Sequence, residues 1–240
     1  IANEKELPQL ETYLRKLYSK QINTIDLAPL TGAASAQVFR RQTLYGMLAH
    51  TAKMPELRAA LKTAGSAWLK DPKSVTLAPE LIGMALGVTT QEGGEPVLNE
   101  LLQRLPSEKV GQLRSYYLSG ILALRDPALL PRVHALYSNP NLRVNEKMAL
   151  YFSPLNQKET RNTQFDYVTQ HWDEIVAVLP PGSASGLPQS FGFCDASMQP
   201  KVEAFLAAHR VSGDDMSIAL MRESVSSCLA LKAAQKPLQI

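Results

Sequence analysis

The residue types that most often carry catalysis or metal binding are present but scattered. The four histidines are His50, His134, His171 and His209, and they fall on separate predicted helices. None begins the His-Glu-x-x-His pattern, which sets two zinc ligands and a general base on one helix face. His171 and Glu174 are three apart and share a face, a spacing that suits a surface pair better than a ligand set. Gly182-Ser183-Ala184-Ser185-Gly186 resembles a nucleophile elbow, but Ala184 occupies the position that must be Ser and no strand precedes it. No glycine-rich loop ends in Lys-Ser or Lys-Thr, and no dinucleotide fingerprint follows a strand. The chain therefore reads as a binding or structural module with no catalytic, metal or cofactor site of its own.

Arg143, Asn145 and Glu146 cluster at a predicted helix start. They are the candidates for a cavity-facing, substrate-contacting group, because helix ends along one edge of a helical array often form its binding surface. The bland reading is a capped helix end with solvated charge. Cys194 and Cys228 are either buried thiols or one bridge, and the thiol reading is favoured because free Cys behaves as a small core hydrophobe. Trp68 and Trp172 fall on apolar faces and are read as core. Of the adjacent Tyr116 and Tyr117, one faces the core and the other reaches solvent or a cavity.

The elements that position these residues are all helical. Val110, Leu113, Tyr117, Ile121 and Leu124 recur at three/four spacing, with Leu118 and Leu122 on a neighbouring flank. A helix that is apolar on more than one side lies between other helices. Asp126-Pro127 caps and opens a second helix carrying Leu129, Leu130, Val133 and Leu136. Around this unit, Leu7, Leu10, Leu14 and Leu17 mark a first helix over about residues 3–19, followed by a loop over Gln21–Ser35. Further helices run from about Ala36 to Leu48, from Pro55 to Asp71-Pro72, over Pro79–Val88 and over Val97–Leu105. Beyond Asn139-Pro140, NLRVNEKMALYF forms one more helix. Asn156 and Glu159 resemble a capping box opening a long helix with Phe165, Val168, Trp172, Ile175 and Leu179, ended by Pro180-Pro181-Gly182-Ser183. Gly186–Cys194 is loop or short helix, then Pro200–His209 and Asp214–Lys236 close the chain. No alternating strand pattern appears. The expected fold is all-α, an irregular α-solenoid of paired antiparallel helices, with residues 1–240 as one helical domain.

A chain of 240 residues with 45% hydrophobic and 20% charged residues can bury a sizeable core. Its net charge of +3 is spread along the chain and forms no basic stripe, so nucleic acid is not an expected partner. No apolar run is long enough to span a bilayer, and IANEKELPQLETYL lacks the regions of a signal peptide, so the compartment stays open.

Trp68-Leu69, Asp71-Pro72, Pro79-Glu80-Leu81, Gly93-Gly94-Glu95, Ser107-Glu108-Lys109 and the run Ala123–Leu130 stand in order along the chain. Arg143-x-Asn145-Glu146, Trp172-Asp173-Glu174, Gly182–Ser185, Phe193-Cys194 and Val202–Leu206 follow. Together these segments resemble the C-terminal helical domain of the M1 zinc aminopeptidases, the group containing aminopeptidase N and the endoplasmic-reticulum aminopeptidases, and the likeness spans about residues 40–235. The resemblance implies a piece of a larger enzyme that removes single N-terminal amino acids with zinc-activated water. Zinc would sit in a separate upstream catalytic domain, over which this domain closes to shelter peptide substrates. Its expected partners are that catalytic domain and the peptides. An exposed apolar patch is expected where the catalytic domain docks, with dimerisation in isolation as a consequence. The competing reading is a free-standing helical-repeat scaffold that binds a protein or peptide.

Overall fold

Proline sits in the first turn of half of the described α-helices. In the computed structural model, which describes residues 5–22, 24–180 and 182–236, Pro55 and Pro79 each open a helix from an extended preceding residue. The ring's fixed φ suits the first turn, and the missing N–H is one that no helix start can satisfy internally. The helices are α1 (Leu7–Tyr18), α2 (Ser35–Gly46), α3 (Pro55–Lys70), α4 (Pro79–Gly93), α5 (Glu95–Ser107), α6 (Gly111–Leu122) and the short α7 (Leu130–His134). They continue as α8 (Val144–Phe152), α9 (Arg161–Gln170), α10 (Trp172–Ala177), α11 (Gln199–Ala208) and α12 (Asp215–Ala234). Among the described residues there is no strand, so the fold is all-α. Residues 3 and 4 of the expected first helix, and Pro181 of the expected stop, lie outside the described residues.

The chain divides into two compact units between Asn141 and Leu142. In the first, α4 is the central element: Leu81, Ile82, Ala85, Leu86 and Val88 are all buried, and it packs on both α3 and α6. Each fully buried Leu contributes on the order of 1.5–3 kcal/mol. Glycine lets these helices approach closely. A Cβ built on Gly65 of α3 would stand 2.8 Å from the Ala85 carbonyl oxygen and 2.3 Å from the Thr89 hydroxyl of α4. One on Gly120 of α6 would meet Leu101 of α5 at 2.7 Å and Leu86 of α4 at 3.2 Å. Trp68 and Tyr117 are both buried and their rings lie 6.0 Å apart.

Two buried side chains of α2 fix the loop before it. The Tyr45 hydroxyl accepts from the Asp26 N–H at 3.0 Å and reaches the Asp26 carbonyl at 3.1 Å. The Arg41 guanidinium donates to the Ala28 carbonyl at 2.6 Å and pairs with Glu80 of α4. Arg114, also buried, donates to the carbonyls of Glu108 at 2.8 Å and Asn141 at 3.0 Å. Buried cations placed this way satisfy loop carbonyls that would otherwise lose their hydration.

The second unit is built on an aromatic cluster. Phe165 meets Phe191 edge-on at 5.5 Å, and Trp172 meets Phe205 edge-on at 5.3 Å, as ring quadrupoles favour. A 3-10 helix over Ser183–Phe191 carries Phe191 into this core and packs on α12, where Ile218, Met221 and Val225 are buried. The Ser217 hydroxyl adds a hydrogen bond to the Ser185 carbonyl.

Three expectations are corrected. Cys194 and Cys228 are not free thiols: they form a disulfide, with Cα atoms 5.7 Å apart. They lie 34 residues apart, and only the packing of α12 on the segment before Cys194 brings them within bridging range. The long helix expected from Asn156 is in fact α9 and α10, broken at His171. Pro154 instead supports a 3-10 turn over Ser153–Asn156, and Gln157 is extended, so Asn156 stands outside the capping position. Phe165, Val168, Trp172 and Ile175 nonetheless stay buried on one side. Val110, expected on the buried face of α6, precedes that helix and is 54% exposed.

Gly65→Ala should lower unfolding stability by about 1–3 kcal/mol despite the better helix propensity of Ala, because the carbonyl it meets belongs to the α4 backbone. Gly186→Ala, whose Cβ meets nothing within 4 Å, should stay within about 0.5 kcal/mol of the parent sequence. Urea denaturation of both variants checks this.

Candidate functional site

An open cleft of about 810 Å³ lies in the first unit, between α2, α4 and α6. Small residues at helical spacing create it. Gly83 and Gly87 are four apart on α4, and Ser115 and Ser119 are four apart on α6, so two facing stripes of small residues line the cleft. A Cβ on Gly83 would stand 3.1 Å from that of Ser119, which shows how closely the two stripes meet. Met84 and Tyr116 provide apolar wall, and Gln42, His50, Glu80 and Gln112 provide polar rim.

The electrostatics of the cleft are close to neutral. The Glu80 carboxylate is already paired with buried Arg41, and the Gln42 amide donates to the Glu80 carbonyl at 3.2 Å. His50 keeps part of its surface open, yet its pKa lies below the ordinary histidine value. Crowding against the fold disfavours the charged ring, and the cations of Arg58 and Arg125 add to this. The Ser115 and Ser119 hydroxyls donate to carbonyls of their own helix, at 2.7 and 2.8 Å, and keep lone pairs to accept with. Such a surface offers neutral hydrogen bonds and an apolar wall. It suits an uncharged polar chain such as a peptide backbone.

The residues singled out from sequence are placed as follows. Tyr117 is buried and Tyr116 lines the cleft, which resolves the adjacent pair as expected. Arg143 and Asn145 are exposed at the start of α8. Glu146 is buried, and its carboxylate accepts the Arg143 backbone N–H at 2.9 Å, capping the helix. The structure thus joins Arg143 and Glu146 through the Arg143 main chain. His171 and Glu174 form a surface pair at 3.3 Å, with the imidazole stacked on Tyr167 at 4.3 Å. Among the described residues no three His, Cys, Asp or Glu side chains gather as a metal site would require. The Gly182–Gly186 run opens the 3-10 helix with Gly182 at φ 80°, and the Ser185 hydroxyl donates back to the Gly182 carbonyl at 2.8 Å. The cleft itself was not anticipated. Its signal in the sequence is the pair of small-residue stripes, Gly83/Gly87 and Ser115/Ser119.

Comparison with known families bears on the same chain. The family model of the ERAP1-like C-terminal domain matches residues 1–227. The chain belongs to that family. The match covers both units and extends well before residue 40, where the sequence resemblance began. An ERAP1-like C-terminal domain is the non-catalytic C-terminal part of an M1 aminopeptidase-like protein, and the family relation associates it with an upstream catalytic domain. No curated protein matches the chain. Among the described residues of this ERAP1-like domain, no helix is long and apolar enough to cross a membrane.

The depressed pKa of His50 sets a pH dependence. Between pH 6.5, where an unfolded histidine takes up its proton, and the lower folded value, the unfolded chain binds more protons. Stability must therefore fall as pH drops through that window. His50→Gln removes the effect, so its melting temperature should decline less between pH 7 and pH 5 than that of the parent sequence, as calorimetry at matched ionic strength would record.

Proposed function

We propose that this chain is the domain of an M1-type zinc aminopeptidase that closes over the active site of the upstream catalytic domain and shelters peptides while N-terminal residues are removed. The observation that carries the reading is the family match over residues 1–227. In this reading the two units act together as one domain, residues 1–240. Zinc and the residues that activate its water belong to the upstream catalytic domain, and no step of that chemistry is assigned to a residue of this chain.

The assignment of surfaces follows from their chemistry. The cleft between α2, α4 and α6 is the surface we assign to peptide main chain, since its rim is neutral and hydrogen-bonding. Exposed Arg143 and Asn145 are assigned to the sheltered cavity, with Glu146 positioning them by holding the start of α8. The contact with the catalytic domain is assigned to apolar surface on α1 and α2, where Leu7, Leu17 and Phe39 are 40, 47 and 69% exposed. The same patch is where the isolated chain would dimerise.

The test is hydrolysis of a chromogenic amino-acid amide in the presence of zinc by this chain and by its full-length parent. Turnover by the parent alone is expected, and turnover by this chain alone would overturn the reading. In the parent, Arg143→Ala should raise KM for oligopeptides by about fivefold, the worth of one lost polar contact, with amide turnover unchanged.

A further inference from the structure

α12 is held along only part of its length. Ser217, Ile218, Met221 and Val225 are buried against the second unit, with Ser217 bonded to the Ser185 carbonyl. Arg222 adds a pair with Glu203 of α11 at 2.9 Å. From Ser226 to Ala234 no residue is buried, and Leu231 is 59% exposed. Among the described residues, the disulfide from Cys228 to Cys194 and the Lys232 ammonium donating to the Cys194 carbonyl tie this stretch to the rest of the unit. The other end of the bridge is firmly seated. Phe193, beside Cys194, is buried in the aromatic cluster, with Phe165 5.9 Å away, and the Arg161 guanidinium covers its ring at 5.1 Å. The Gln199 amide holds the Phe193 carbonyl at 3.1 Å, and Asp195 accepts from the Ser197 hydroxyl at 2.7 Å. One sulfur is therefore anchored to the core, and the other belongs to helical turns that lack buried side chains.

We propose that Cys194–Cys228 is a redox-sensitive strap that holds the last turns of α12 in place, closed under oxidising conditions and opened by a dithiol reductant. Cys194 and Cys228 are the two cysteines of this chain, so no third thiol within it competes for the bridge. Opening is balanced thiol–disulfide exchange. A thiolate of the dithiol attacks one sulfur of the bridge, giving a mixed disulfide and releasing the other cysteine as a thiolate. The second thiol of the reductant then displaces the first cysteine and closes its own disulfide. The bridge gains two electrons and two protons, and the dithiol loses them. Helical turns without buried side chains fray once the crosslink is gone, whereas the turns through Val225 keep their packing. The strap is closed in compartments that sustain disulfides and open in those kept reducing.

Hydrogen–deuterium exchange of the intact protein tests this, comparing the oxidised form, the form reduced with dithiothreitol and the Cys194→Ser/Cys228→Ser variant. Reduction should speed exchange of the amides of residues 226–234 by roughly tenfold or more and leave 142–225 unchanged, with protection restored on reoxidation. Unchanged exchange over 226–234 would overturn the proposal. So would a loss of protection through 142–225, since the bridge would then staple the whole unit. If the double variant does not fold, the reversible reduction of the native protein decides.

Discussion

The structure of the first unit depends on how closely α4 approaches its neighbours. Gly65 of α3 and Gly120 of α6 remove Cβ atoms where those helices would collide with α4 or α5. The shortened distances let Leu81, Leu86, Leu98 and Leu101 leave water completely. Gly83 and Gly87 belong to the same stretch of α4 but face α6 at the edge of the packed region, where they open into the cleft. Small residues therefore serve both parts: single glycines close the core, and the Gly83/Gly87 and Ser115/Ser119 stripes line the concave surface. Close packing transmits such choices, because an interior at near-crystalline density has no slack to absorb a methyl group.

Around that core, charge is used to fix loops and not to make a reactive site. Arg41 and Arg114 are buried, and both spend their donors on backbone carbonyls of segments without regular structure. Arg41 also takes up the charge of Glu80, the carboxylate that borders the cleft. His50, the one imidazole at the cleft, is held toward its neutral form. The cleft is left as a surface of amides, hydroxyls, one phenol and a thioether. That composition offers neutral hydrogen bonds and an apolar wall, which is the chemistry the proposed peptide-facing role calls for.

Much of this was legible in the sequence, for local reasons. Pro55, Pro79 and Asp126 act within their own turn, so the starts they signal appear where expected; Asp126 accepts the Ala128 N–H at 2.9 Å. Trp68 and Trp172 lie on apolar faces and are buried. The features that were missed depend on contacts between distant segments. The partner of Arg41 is Glu80, 39 residues away, and that of Cys194 is Cys228, 34 residues away. Periodicity describes one helix at a time and carries no record of such pairings. The break at His171 escaped notice because Phe165, Val168, Trp172 and Ile175 remain buried on either side of it, so the apolar pattern runs through the interruption. Asn156 and Glu159 had the right spacing for a cap, but the extended Gln157 between them removes the helix they would have capped.

The proposed role has the cleft between α2, α4 and α6 receive peptide during turnover by the parent enzyme. Ser115 is exposed on α6 and lines the trough, so Ser115→Trp fills the trough without disturbing a buried contact. The decisive measurement is KM for an oligopeptide, set against KM for a single amino-acid amide, in the parent enzyme carrying this substitution. A rise of roughly fivefold or more is expected for the oligopeptide, with an amide value within about twofold of the unsubstituted enzyme. An equal change in both, or no change in either, would contradict it.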